Sequence, residues 1–169
     1  RLRDSHVSAP THRLDHPDTM LHYINLSALE RSAGHFDVAL RYQDRIMELW
    51  QLLYGRDHPD AVHTLSSIAL LLQSRQDFDT SLQAYQSSHD LALRLFGPDS
   101  IYTGNMAHEL SQAYTLSGDL KTAIQVEKDA WRIFQDRLGA GAARTRESAS
   151  FLSASRSSAV RAGSYAQRT

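Results

Sequence analysis

Gly55-Arg56-Asp57-His58-Pro59-Asp60 decides the reading of this chain, because most of it recurs at a constant distance. Asp15-His16-Pro17-Asp18 stands 42 residues before Asp57-His58-Pro59-Asp60, and Asp99 holds the place of Asp57 another 42 residues on. Gly55, Gly97 and Gly139, each closing an apolar helical segment, keep the same 42-residue step. A period that does not slip over three units means stacked copies of one small motif, not a single globular core. Such arrays offer an extended concave surface to a partner.

Each unit reads as two helices. Pro17 sits in the first helical turn, where its missing N–H costs nothing, and Asp18 suits the helix dipole there. Met20, Tyr23, Ile24 and Ala28 follow at helical spacing, and Gly34 ends the segment. Ala39, Leu40, Ile46, Leu49, Leu52 and Leu53 then make a second amphipathic helix. The pattern repeats twice and begins a fourth time near Thr145. It predicts helices near 17–33, 36–53, 59–74, 78–95, 101–117, 120–137 and 144–160. No sustained two-residue alternation or Asn-Gly hairpin is present. The expected fold is all-α, a right-handed superhelical array of antiparallel helix pairs. Units fall near 13–54, 55–96 and 97–138, within an array spanning 13–160. Residues 1–12 read as a disordered leader and 161–169 as a disordered tail. Leu26, Ile68, Leu110 and Leu152 share one phase and are expected to be buried.

Composition narrows the function classes. The 169 residues are 41% hydrophobic and 22% charged, with a formal net charge of −1, so no global field draws nucleic acid or an anionic membrane. The charge is uneven: residues 139–169 hold five arginines against Glu147, a net of +4. With +1 on residues 1–12, that leaves −6 on residues 13–138. The absence of cysteine excludes structural disulfides and thiolate catalysis. No apolar run approaches the ~18 residues of a membrane span, so no membrane insertion is expected. The chain opens at Arg1 without a methionine and reads as part of something longer.

Catalytic chemistry finds no residues to stand on. His12 and His16 are separated from a shared regular helix by Pro17, and His16 and His58 recur with the period, as helix-start residues do. His108-Glu109 opens like a zinc-protease motif, but Gln112 occupies the place of the second histidine. No Gly-rich phosphate loop, nucleophile elbow or pocketed carboxylate pair is present. The expectation is no enzyme, no metal and no cofactor. The aromatics, from Tyr23 and Trp50 to Tyr114 and Trp131, fall mostly at core spacing.

Small residues at the helix crossings (Ser27, Ala39, Ala69, Ser81, Ser111, Ala123), with Gly-x-aromatic between helices, resemble a tetratricopeptide repeat. The 42-residue length and the Gly-x-Asp-His-Pro-Asp joint resemble the kinesin-light-chain type. Several stretches are similar to the repeat region of the clustered-mitochondria (Clu) family. They include Leu14-Asp15-His16-Pro17-Asp18-Thr19, Tyr23-Ile24-Asn25-Leu26-Ser27, Ser67-Ile68-Ala69-Leu70-Leu71-Leu72-Gln73 and Phe96-Gly97-Pro98-Asp99-Ser100-Ile101. The late stretch His108-Glu109-Leu110-Ser111-Gln112-Ala113, with Glu127-Lys128, Leu138-Gly139 and Arg144-Thr145-Arg146-Glu147-Ser148, is the most specific. The resemblance implies a large cytoplasmic protein concerned with mitochondrial distribution, with handling of mRNAs for mitochondrial proteins, and with ribosomes and an initiation factor. The fourth joint, Gly139-Ala140-Gly141-Ala142-Ala143, departs from the pattern by lacking its acid.

In such arrays the first helix of each pair lines the concave side. There the sequence places Asn25, Ala28 and Arg31, then His63, Ser66 and Gln73, then Asn105, His108 and Gln112. Amides and imidazoles suit the unpaired backbone groups of a bound peptide. The expected partner is therefore a protein or peptide in the groove. One alternative is an RNA-binding module using Arg144, Arg146, Arg156 and Arg161. The other is a kinesin-light-chain-like cargo adaptor, against which the broken asparagine ladder (Asn25, Ser67, Glu109) argues.

Overall fold

The computed structural model describes residues 17–55 and 57–166, with side-chain surroundings from Thr19 to Ser158. The leader, His16 and the end of the tail lie outside these, as does the side chain of Arg161. The described residues form seven helices and no strand: α1 (Pro17–Ser32), α2 (Phe36–Tyr54), α3 (Pro59–Ser74), α4 (Phe78–Phe96), α5 (Ile101–Leu116), α6 (Leu120–Leu138) and α7 (Ala143–Ala166). First helices start at 17, 59, 101 and 143 and second helices at 36, 78 and 120, so the 42-residue step holds to the residue. Each helix packs on the one before and the one after it. α7 runs past the expected 160, because no proline interrupts its Ala-, Arg- and Ser-rich sequence.

Backbone chemistry sets the joints. Gly55, Gly97 and Gly139 have φ of 86°, 81° and 83° with ψ of 178°, 170° and 163°, a region open in practice only to glycine. Within each pair the turn needs a left-handed residue. Gly34 and Gly118 supply it at φ 80° and 88°, but the second unit uses Gln76 at φ 64°. His58 caps α3, its Nδ1 accepting from the Asp60 N–H at 3.2 Å, and Ser100 does the same for Tyr102 at the start of α5.

All six small residues at the crossings are buried. In the first unit Ser27 Oγ donates to the Ala39 carbonyl at 3.1 Å. In the second the serine has changed helix, and Ser81 Oγ donates to the Ala69 carbonyl at 2.8 Å. Volumes also compensate between the second and third units. Met20 with Trp50 and Val62 with Ala92 lie in one core cluster. The equivalent third pair is Gly104 with Phe134, where a Cβ on Gly104 would stand 2.9 Å from Phe134 Cε1.

The expected row of buried residues needs correction at its start. Leu110 and Leu152 are buried, Ile68 is half-buried, and Leu26 is 37% exposed. In α3 and α5 this phase lies beneath the preceding second helix, and no described helix precedes α1.

Candidate functional site

The first helices of neighbouring units meet side chain to side chain in repeating rungs. A residue in the phase of Ile24 on one helix meets one in the phase of Ser67 on the next. Between α3 and α5 the rung is closed, because Ser66 Oγ donates to the Glu109 carboxylate. Between α5 and α7 the rings of His108 and Phe151 meet edge to face, centroids 5.7 Å apart. Between α1 and α3 the pair is Ile24 and Ser67, which cannot hydrogen-bond, and a cavity of about 420 Å³ opens there.

Met20, Leu21, Ile24, Trp50 and Tyr54 give this cavity apolar walls, and Gln43, Asp60, His63, Thr64 and Ser67 are its polar lining. The walls are held by bonds behind them. Trp50 Nε1 donates to Thr64 Oγ1 at 3.2 Å, and the indole stacks on the His58 ring at 4.3 Å. Gln43 Nε2 donates to Ser27 Oγ at 2.9 Å. Leu21 and Ile24 are exposed at the rim. At the next junction the position of Asp60 is taken by Tyr102, which stacks on Phe96 at 4.7 Å and meets His63 edge-on.

The nine groove residues read from sequence divide. Asn25, Ala28, Arg31, His63 and Gln112 are exposed on their helices, and Ser66, Gln73 and Asn105 are half-buried. Only His63 lines the cavity. Ser66 is engaged by Glu109, and the buried Asn105 Oδ1 has no hydrogen-bond partner. His108 is not available to a backbone: it is 4% exposed. Its Nδ1 donates to Glu127 at 2.8 Å, and the Gln112 amide lies 3.0 Å from Nε2. Ser111 Oγ also donates to Glu127, which is fully buried. The equivalent of Glu127 is Gln43 in the first unit and Tyr85 in the second, where burial and the nearby Glu109 carboxylate push the phenol up to about 12. Sequence reasoning did not single out Leu21 and read Ile24 only within the apolar spacing of its helix, whereas both line this cavity; the clue was an aliphatic at phases that carry His63 and Ser66 in the next unit.

Among the C-terminal arginines, Arg144, Arg146 and Arg156 are exposed, and Arg144 pairs with Glu147 at 3.2 Å. At about 100° per residue, Arg144 and Arg146 project to nearly opposite sides of α7. Arg156 lies about 80° from Arg146, so these two share a side of α7 that faces away from Arg144. Among the described residues no group of three or more His, Asp or Glu is placed to hold a metal, and no helix is long and apolar enough to cross a membrane.

Two models of the tetratricopeptide repeat match the sequence, at residues 19–60 and 60–136. The chain belongs to the tetratricopeptide-repeat family. Its repeats are homologous to a segment of the clustered-mitochondria proteins. It is 60% identical over 155 residues to the Clustered mitochondria protein homolog of Mycosarcoma maydis, covering 92% of this chain and 11% of that protein. To the homolog of Malassezia globosa it is 68% identical over 156 residues, covering 92% of this chain and 12% of that protein. The chain thus spans only about an eighth of the length of these relatives. Its fold matches the kinesin-light-chain TPR-like repeats of Podosopora anserina, at TM-score 0.73 and 14% identity over 83% of this chain and 66% of that one. It also matches PcrH in complex with the chaperone binding region of PopD, at TM-score 0.62 and 17% identity over 83% and 92%.

Proposed function

We propose that this segment is the protein-binding module of a clustered-mitochondria-type cytoplasmic protein. Its groove takes a partner segment that buries an apolar side chain between α1 and α3. The observation that carries this reading is the single open rung: Ile24 and Ser67 leave an apolar-walled cavity where the equivalent pairs close the surface. Its size falls within the ~300–1,000 Å³ of ligand clefts. Asp60 at the cavity favours a basic residue beside the anchor. In this reading the exposed Asn25 and His63 bond the partner's backbone. PcrH, of the same fold, is known with a bound segment of PopD. The parent's role in mitochondrial distribution, and any handling of mRNA, ribosomes or initiation factors, would run through the partner so held. The acidic body of the array disfavours RNA in the groove.

Peptide display against the chain tests this. Selected peptides should share one bulky apolar residue and lose at least tenfold in affinity for Ile24→Asp. Being apolar and hydrogen-bonded contacts, they should hold their affinity from about 0.05 to 0.5 M salt, whereas phosphate contacts would weaken steeply. Peptides indifferent to Ile24→Asp refute the cavity as the site. Tight, salt-resistant RNA binding that survives neutralising Arg144, Arg146 and Arg156 refutes the protein-groove reading.

A further inference from the structure

α1 departs from the other first helices on one side. Toward its own second helix it is ordinary: Met20 and Ser27 are buried, like Val62 and Ala69. The other side differs. In α3 the residues Ile68 and Leu71 pack beneath α2 against Phe36 and Leu40, and in α5 Leu110 and Ala113 pack beneath α4 against Leu82 and Tyr85. The same phases on α1 are Leu26 and Leu29. Leu29 is 64% exposed, whereas Leu71 is 1% exposed. An aliphatic pair in the seam phase of a repeat is uncovered.

We propose that Leu26 and Leu29 are the landing site of another amphipathic helix of the second-helix type, supplied by the same polypeptide upstream of α1. Its chemistry follows from the helices that fill the role here. They place a small residue fourth and a bulky aliphatic fifth, as in Ala39-Leu40 and Ser81-Leu82, and the aliphatic reaches the following first helix. Two observations choose this occupant. The relatives are far longer than this stretch, which spans 11% and 12% of the two described above, so chain is available to supply it. The opposite end of the array is also unsuited to the role. The side of α7 in the phase that α5 turns to α6 carries exposed Arg146, Ser153 and Arg156 where α5 has Gly104, Ser111 and Tyr114. A second copy stacked head to tail would set arginines on the leucines.

The chain contains no cysteine, which makes thiol labelling a clean reporter. Leu29→Cys, with Gln83→Cys on α4 as an exposed control, would be labelled with maleimide in this chain and in the full-length parent, and read by peptide mass. The expected result is labelling at position 29 at least tenfold slower in the parent, with the control unchanged. A photo-crosslinking residue at position 29 should then join a segment N-terminal to α1. Equal labelling in both proteins overturns the proposal, as does a crosslink to a segment beyond α7. Protection already present in this chain and rising with its concentration, with a dimer mass by light scattering, makes a second copy the occupant and also overturns it.

Discussion

Gly104 and Phe134 offer a quantitative test of whether the units are interchangeable solutions to one packing problem. In the second unit the same phases hold Val62 with Ala92, so volume removed from the first helix is returned on the second; Met20 with Trp50, in the first unit, is large on both helices. Gly104→Val puts a side chain where Phe134 Cε1 already stands 2.9 Å, and Ile133 Cγ2 3.1 Å, from the nearest position a Cβ can take. Phe134 is fully buried and has little room to yield. Overpacking costs about 1–3 kcal/mol, and valine recovers only a few tenths through helix propensity. Phe134→Ala alone leaves a cavity and costs about 3–5 kcal/mol. Together the two changes recreate the pair found in the second unit, the introduced valine filling part of the cavity. The double variant should lose about 2–4 kcal/mol, less than the sum of the singles, a coupling of about 2–3 kcal/mol. Urea unfolding followed by far-ultraviolet circular dichroism measures it, with unchanged slopes confirming comparable transitions. Additivity within about 0.5 kcal/mol would refute the compensation argument, and so would a Gly104→Val variant as stable as the parent chain.

Gln76→Gly should stabilise the chain by about 0.5–1 kcal/mol, since Gln76 holds at φ 64° a conformation that Gly34 and Gly118 adopt without a Cβ penalty; an unchanged or lower urea midpoint contradicts this. Glu127→Ala should cost about 3–5 kcal/mol by stripping His108 and Ser111 of their buried acceptor; a loss below 1 kcal/mol in the same assay would show the cluster to be dispensable. The Tyr85 phenol is pushed up to about 12 in the folded chain, so the folded state holds a proton that the unfolded state releases near its ordinary pKa of about 10. Stability is therefore fully present below about pH 10 and falls as pH rises toward 12. A thermal-melting series should show that decline reduced in Tyr85→Phe, and identical slopes would rule out the assignment.

The sequence by itself determined the architecture of this protein. Glycine at 55, 97 and 139 and Asp-His-Pro-Asp at 57–60 are local requirements of φ, ψ and capping, and local requirements are written in single residues. The helix boundaries and the buried crossings at Ser27, Ala39, Ala69, Ser81, Ser111 and Ala123 followed from them, because a strict period transfers one unit's geometry to the next. The groove did not follow. Asn25, Ser66 and His108 look alike as polar residues on first helices. Whether each meets solvent depends on a neighbour 43 residues away, as in Ser66 with Glu109 and His108 with Phe151, or on the partner helix, as in His108 with Glu127. Leu26 and Leu29 make the same point in reverse: the period marks them as seam residues, but burial needs a helix on the other side. Only the tertiary structure decided which rung stays open and which leucines stay bare. Both depend on pairs of side chains brought together across helices, and periodicity constrains the phase of such pairs but not their fit.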